Sequence, residues 1–129
     1  MKKCCMFTRD ADYMKIVYEI HLYIGEYEYE TVVRPFQLGY RRLDLYVIDS
    51  TGARGDELFK LMNRLPKMAI SHPGSVFLLW NRETRDHFND FADPAKVYNN
   101  VLCVDSPDWI ERTLATIRKF QREEADEKQ

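Results

Sequence analysis

At 129 residues the chain has the size of one domain, and with 45% hydrophobic and 13% aromatic residues it can build a core, which excludes a disordered tail. The formal net charge of −2, with both signs mixed along the chain, gives no electrostatic basis for nucleic-acid binding, although Arg34, Arg41 and Arg42, close in sequence, leave a locally basic face open. No apolar run approaches a membrane span, and the four fairly apolar residues after Met1-Lys2-Lys3 are too few for a signal-peptide core, so cytoplasmic residence is expected.

The first element is the apolar run Lys3 to Phe7 (KCCMF), read as a buried strand. Asp10 or Asp12 then offers a cap for a helix reaching about Ile24, with Tyr13, Ile16, Val17, Ile20, Tyr23 and Ile24 at helical spacing and Gly25 as its stop. Tyr29 to Val33 is rich in β-branched residues and is closed by Pro35, which marks a second strand. Residues 36–42 leave room for one or two helical turns. Leu43 to Ile48 (LDLYVI) is a third strand, ended by Asp49-Ser50-Thr51-Gly52.

The second half repeats the alternation. Leu58, Phe59, Met62 and Leu65 mark a helix over Asp56 to Leu65, with Pro66 as its end. Ser75 to Trp80 (SVFLLW) is a strand, Thr84 to Phe91 a short helix, and Asn100 to Val104 (NVLCV) a fifth strand. Ser106-Pro107-Asp108-Trp109 has the form of a helix start, with Ser106 as cap and Pro107 at the first position. Ile110, Leu114, Ile117 and Phe120 continue that helix. The domain is expected over residues 1–122, with 123–129 as a charged tail.

Strands alternating with helices mean βαβ units and a parallel sheet. Nearly continuous apolar character in the last three strands fits a sheet covered on both faces. Right-handed crossovers then favour a flavodoxin-like three-layer α/β sandwich, a five-stranded parallel sheet of order 2-1-3-4-5. In such a sheet function collects beyond the carboxyl ends of the strands. Those ends carry Thr8, Arg9 and Asp10; Asp49 and Ser50; Trp80 and Asn81; and Asp105 and Ser106. Asp49 is the central candidate, although an aspartate there can equally serve to turn the chain.

The segment LDLYVIDSTGARGDELFKLMNRL resembles the part of response-regulator receiver domains in which a strand ends in the phosphoacceptor aspartate and leads into an amphipathic helix. Asp49 matches the acceptor, and the order and spacing of elements are receiver-like along nearly the whole chain. The resemblance implies a CheY-like fold and a signalling role through protein contacts. In receivers the face of the fourth helix, fifth strand and fifth helix commonly meets the partner; here that face is Thr84 to Phe91, Val101 to Val104 and Trp109 to Phe120.

The chain departs from the receiver pattern at the pocket. The acidic pair that holds Mg²⁺ is replaced by Thr8 and Arg9, the small hydroxyl residue after the fourth strand by Trp80 or Asn81, and the lysine after the fifth by Asp105 or Ser106. Transfer of a phosphoryl group needs a cation and positioned donors as well as an acceptor. A degenerate pseudo-receiver without standard Mg²⁺-dependent aspartyl phosphorylation is therefore expected. No cofactor and no metal are assigned, Asp10 and Asp49 being the carboxylates nearest to a metal site. Arg9 is expected to reach across to Asp49 and occupy the cation's place.

An alternative is a small flavodoxin-like enzyme acting on nucleosides or nucleotides, like deoxyribosyltransferases or Toll/interleukin-receptor-type domains. The loop STGARGDEL would then supply Glu57 as a nucleophile, whereas Asp56 and Glu57 also suit a helix start by charge alone. Cys4, Cys5 and Cys103 read as buried thiols, the adjacent pair pointing to opposite faces of a strand. His21 is expected in or beside the core, and His72 and His87 lack ligand spacing. Most of the tyrosines Tyr23, Tyr27, Tyr29, Tyr40 and Tyr46 are expected in the core or on the sheet. The expected partner is a protein, with no membrane and no nucleic acid, and a homodimer is left open.

Overall fold

The computed structural model describes residues 2–32, 34 and 43–127 of the chain. The elements run β1 (Lys3–Phe7), α1 (Met14–Tyr23), β2 (Glu28–Val32), β3 (Leu45–Ile48), α2 (Gly55–Ser71), β4 (Val76–Leu79), α3 (Arg82–Phe91), β5 (Val101–Cys103) and α4 (Trp109–Glu127). All five strands are parallel, in the order β2-β1-β3-β4-β5. The expected α/β sandwich and strand order are thus present. The expected turns at 36–42, and with them Tyr40 and the Arg41-Arg42 pair, lie outside the described residues.

Strand alternation divides the core in two. Cys5, Phe7, Tyr46, Ile48, Phe77 and Leu79 point to one face, where α2 brings Leu61, Met62 and Leu65 and α3 brings Phe88. Tyr46 and Phe77, paired in register across β3 and β4, stack with ring centroids 4.6 Å apart. Cys4, Met6, Leu45, Val47, Val76, Leu78 and Leu102 point to the other face, against Ile16 and Ile20 of α1 and, from α4, Trp109, Ile117 and Phe120. With helices on both sides the two central strands are buried at every position, as their uninterrupted apolar sequence requires.

Several boundaries differ from the sequence expectation. Pro66 does not end α2, which continues to Ser71 with Pro66 inside it. A proline removes one N–H from the helical ladder. Burial of Met68 and Ala69 against the core holds the extra turn in place despite that loss. No aspartate side chain caps α1; Asp10 Oδ1 instead accepts from Asp12 N–H at 2.9 Å and closes the turn before it. Ser106 to Asp108 form a turn ahead of α4 rather than its first residues, with Trp109 N–H donating to the Ser106 carbonyl at 3.1 Å. α4 then runs on to Glu127. His21 is exposed, near Glu26, and not in the core: it sits outside the row of Ile16 and Ile20 that faces the sheet. Among the described residues no helix is long and apolar enough to cross a membrane.

Candidate functional site

The carboxyl ends of β1, β3 and β4 meet because the ladder continues one residue past each strand. Asp49 N–H donates to the Phe7 carbonyl and Trp80 N–H to the Ile48 carbonyl, each at 2.8 Å. Asp49 is thereby fixed between its neighbours and is only 7% exposed. The chain then turns at Ser50 to Ala53, where Ala53 N–H donates to the Ser50 carbonyl at 3.0 Å. Gly52 has φ 83°, a conformation that a side chain disfavours.

Neutral donors surround the Asp49 carboxylate. Oδ1 accepts from the Asn81 amide at 2.8 Å and from Thr51 N–H at 3.0 Å. Thr8 Oγ1 stands 3.4 Å from Oδ2 and accepts from Asp10 N–H at 3.1 Å. Asn81 links this group to α3. Its Oδ1 accepts from Thr84 N–H at 2.9 Å, a capping bond, and from Thr84 Oγ1 at 3.0 Å. Its amide also reaches Thr51 Oγ1 at 2.6 Å. Behind it, fully buried Thr84 accepts from Ser50 N–H at 2.9 Å, and Ser50 Oγ lies 2.7 Å from His87 Nδ1. An unbroken chain of hydrogen bonds therefore joins the ends of β1, β3 and β4 to the first two turns of α3.

An open cavity of about 620 Å³ lies over this corner, lined by Arg9, Asp10, Asp49, Trp80 and Asn81, together with Asp12, Lys15, Ile16, Glu19, Thr51 and Gly52. The sequence candidates thus fall into three sets. Arg9, Asp10, Asp49, Trp80 and Asn81 meet at the cavity. Thr8 and Ser50 lie beneath it, buried and bonded. Asp105 and Ser106 lie outside its lining: Asp105 pairs with Arg85 at 2.7 Å, and Ser106 N–H donates to the Cys103 carbonyl at 3.1 Å. Of the three aspartates at the strand ends, Asp10 and Asp49 share the cavity and Asp105 does not.

Arg9 does not pair with Asp49. Its guanidinium pairs with Glu57, at the start of α2. β1 has ended by Arg9, and the exposed side chain turns outward, where a half-buried carboxylate is within reach. This contact also ties up the glutamate that the enzyme alternative would need, and Asp56 pairs with Lys60 at 3.2 Å. Asp12 holds Lys15 at 2.8 Å, and that hydrogen bond raises the ammonium pKa above its ordinary value. Among the described residues no three His, Cys, Asp or Glu side chains form a metal-holding group. Thr51, Thr84 and His87 were absent from the sequence candidates. Asn81 three residues before Thr84 is a readable capping signal, whereas the Ser50–His87 contact follows only from the docking of α3.

No protein-family model matches the sequence, and no curated protein sequence matches it. Solved structures match over nearly the whole length. A protein described as a pilus assembly protein (CpaE) from Burkholderia thailandensis has a TM-score of 0.53 and 18% identity, over 92% of this chain and 99% of its own. The BeF3-activated receiver domain of DrrB, a Thermotoga maritima response regulator, has a TM-score of 0.51 and 16% identity, over 95% of this chain and 98% of its own. The chain has the receiver fold. A signal receiver domain of an HD domain-containing protein from Pseudomonas fluorescens agrees, at a TM-score of 0.50 and 11% identity, over 97% of this chain and 98% of that one. At these identities the likeness is one of fold.

Proposed function

We propose that the chain is a receiver-like signalling or regulatory module that acts through protein contacts in the cytoplasm, without standard Mg²⁺-dependent phosphorylation of Asp49. The observation that carries this reading is the end of β1. Where receivers place carboxylates beside the acceptor, this chain places Thr8, bound towards Asp49, and Arg9, bound to Glu57. A dication beside Asp49 would find the Thr8 hydroxyl where receivers offer a carboxylate, with Arg9 drawn away to Glu57. Asp49 itself is held by Thr51 N–H and the Asn81 amide, which fix it as an acceptor of hydrogen bonds. In this reading the domain has one resting state, set by the network from Asp49 to α3. The domain is proposed to span 1–122, with the last turns of α4 running on into a charged extension, 123–129.

Incubation with acetyl phosphate and Mg²⁺, followed by intact-protein mass measurement, tests the proposal. Wild type is expected to gain no phosphoryl group. A substantial gain that disappears in Asp49→Asn would overturn it and make the chain an ordinary phosphoacceptor.

A further inference from the structure

A helix that covers one face of a sheet needs one apolar side. α1 has two. Ile16 and Ile20 are 5% and 0% exposed against the sheet, while Met14, Tyr18 and Leu22 are 59%, 65% and 55% exposed. These three recur every four residues and form one row along the helix. At 100° per residue, Tyr18 points roughly 160° away from both Ile16 and Ile20. An open cavity of about 510 Å³ follows this row, lined also by Lys15, Glu19 and Tyr23. Tyr23 is held at its end by an edge contact with Trp109, ring centroids 6.3 Å apart. A helix that is apolar on opposite sides, with charges between, has the pattern of one packed between two partners.

We propose that this row is a homodimer interface in which two copies pack α1 against α1, antiparallel about a two-fold axis. Charge selects a second copy as the occupant. A two-fold axis across antiparallel helices brings each flank against the same flank of the other copy. One flank carries Lys15 and Glu19, of opposite sign and four residues apart. With the axis at the level of Val17, Lys15 of one copy is level with Glu19 of the other, and the reverse, giving two ion pairs. The same setting staggers the apolar row. With a rise of 1.5 Å per residue, the Met14, Tyr18 and Leu22 side chains of the two copies alternate about every 3 Å instead of colliding. One placement therefore satisfies both packing and charge. Lys15 already bonds Asp12 within its own chain, so the interface adds a second carboxylate to an ammonium that is already oriented. The contact is one helix wide, so association is weak, with a Kd on the order of 10–100 µM.

Sedimentation equilibrium on the full chain tests this. Wild type is expected to dimerise reversibly, and Tyr18→Asp to remain monomeric. Lys15→Glu and Glu19→Lys are each expected to weaken the dimer about tenfold, since each acts twice across the axis and leaves like charges opposed. The double swap restores both pairs and is expected to return the Kd to within about threefold of wild type. Circular dichroism confirms that each variant folds; should Tyr18→Asp fail, Leu22→Lys makes the same break. Asp49→Asn is expected to dimerise like wild type, so the outcome is independent of phosphorylation. A wild type that stays monomeric at millimolar concentration, a Tyr18→Asp that still dimerises, or a double swap no better than the single ones overturns the proposal. So does a monomer whose α1 row instead takes up an unrelated amphipathic peptide.

Discussion

Two asparagines stand at opposite ends of the sheet and do different things. Asn100, just before β5, is buried, and its amide nitrogen lies 2.9 Å from the Ala69 carbonyl and 3.0 Å from those of His72 and Ser75. Every partner is main chain, so the amide ties the end of α2 to the start of β4. Asn81, just after β4, donates to side chains, Asp49 and Thr51, while capping α3. The amino end is thus closed by backbone, whose positions the fold dictates. The carboxyl end is closed by side chains, each of which can be exchanged without moving the chain. The second kind of end is the one where open parallel sheets collect their binding sites.

Substitution of the two residues should separate these roles. Asn100→Ala leaves buried carbonyls without a donor and is expected to cost about 2–4 kcal/mol in urea unfolding. Asn81→Ala loses one cap and one charge-assisted bond at a partly open site, and about 1–2 kcal/mol is expected. Equal costs would mean that the carboxyl end is as structural as the amino end.

The amino end should also be the more sensitive to alkali. Tyr27 lines a cavity there with Leu43 and Asp44, and burial pushes its hydroxyl up to about 12. Burial raises Tyr29 as well. The unfolded chain loses these protons first, near pH 10, so their contribution is complete below that pH and is lost as pH rises towards 12. Discounted for the partial exposure of Tyr27, the fall is on the order of 1 kcal/mol. Tyr27→Phe should flatten the unfolding free energy over that range; an unchanged slope would remove Tyr27 as its source. The smallest effect is expected at the rim of the other end. Arg9 is half exposed, and Arg9→Ala should cost no more than about 0.5 kcal/mol and respond to salt. A larger loss would show that the Arg9–Glu57 pair braces the β1 end of the cavity.

The layers were legible in the sequence because burial writes itself as periodicity. LYVI and VFLL can only be strands covered on both sides, and Ile16 with Ile20 can only face a sheet. The position of Asp49 was legible because it directly follows an apolar strand, and such strand ends gather on one side of a parallel sheet. The partners of the site residues were not. Arg9 and Glu57 are 48 positions apart, and whether an arginine selects that carboxylate or Asp49 depends on how far β1 extends, a matter of one residue. Asp105 and Arg85, 20 positions apart, likewise meet only once α3 is docked beside the end of β5. Pro66 misled for a different reason: its local cost is fixed, but burial of Met68 and Ala69 outweighs it, and that burial is visible only once α2 is docked.

The adjacent thiols in β1 have a further use. Cys4 faces the layer of α1 and α4, Cys5 that of α2 and α3, and both are buried. Burial, with the neighbouring thiol, also pushes Cys4 well above its ordinary pKa, so neither contact with solvent nor a reactive thiolate is offered in the folded state. Covalent capture of each sulfur by a thiol reagent therefore waits for its own layer to lift. Single-thiol versions of the chain, keeping Cys4 or Cys5 alone, would clock the opening of the two helical layers separately. If the two capture rates coincide, the sandwich opens as one unit; if they differ, the strand carries a built-in record of which side lets go first.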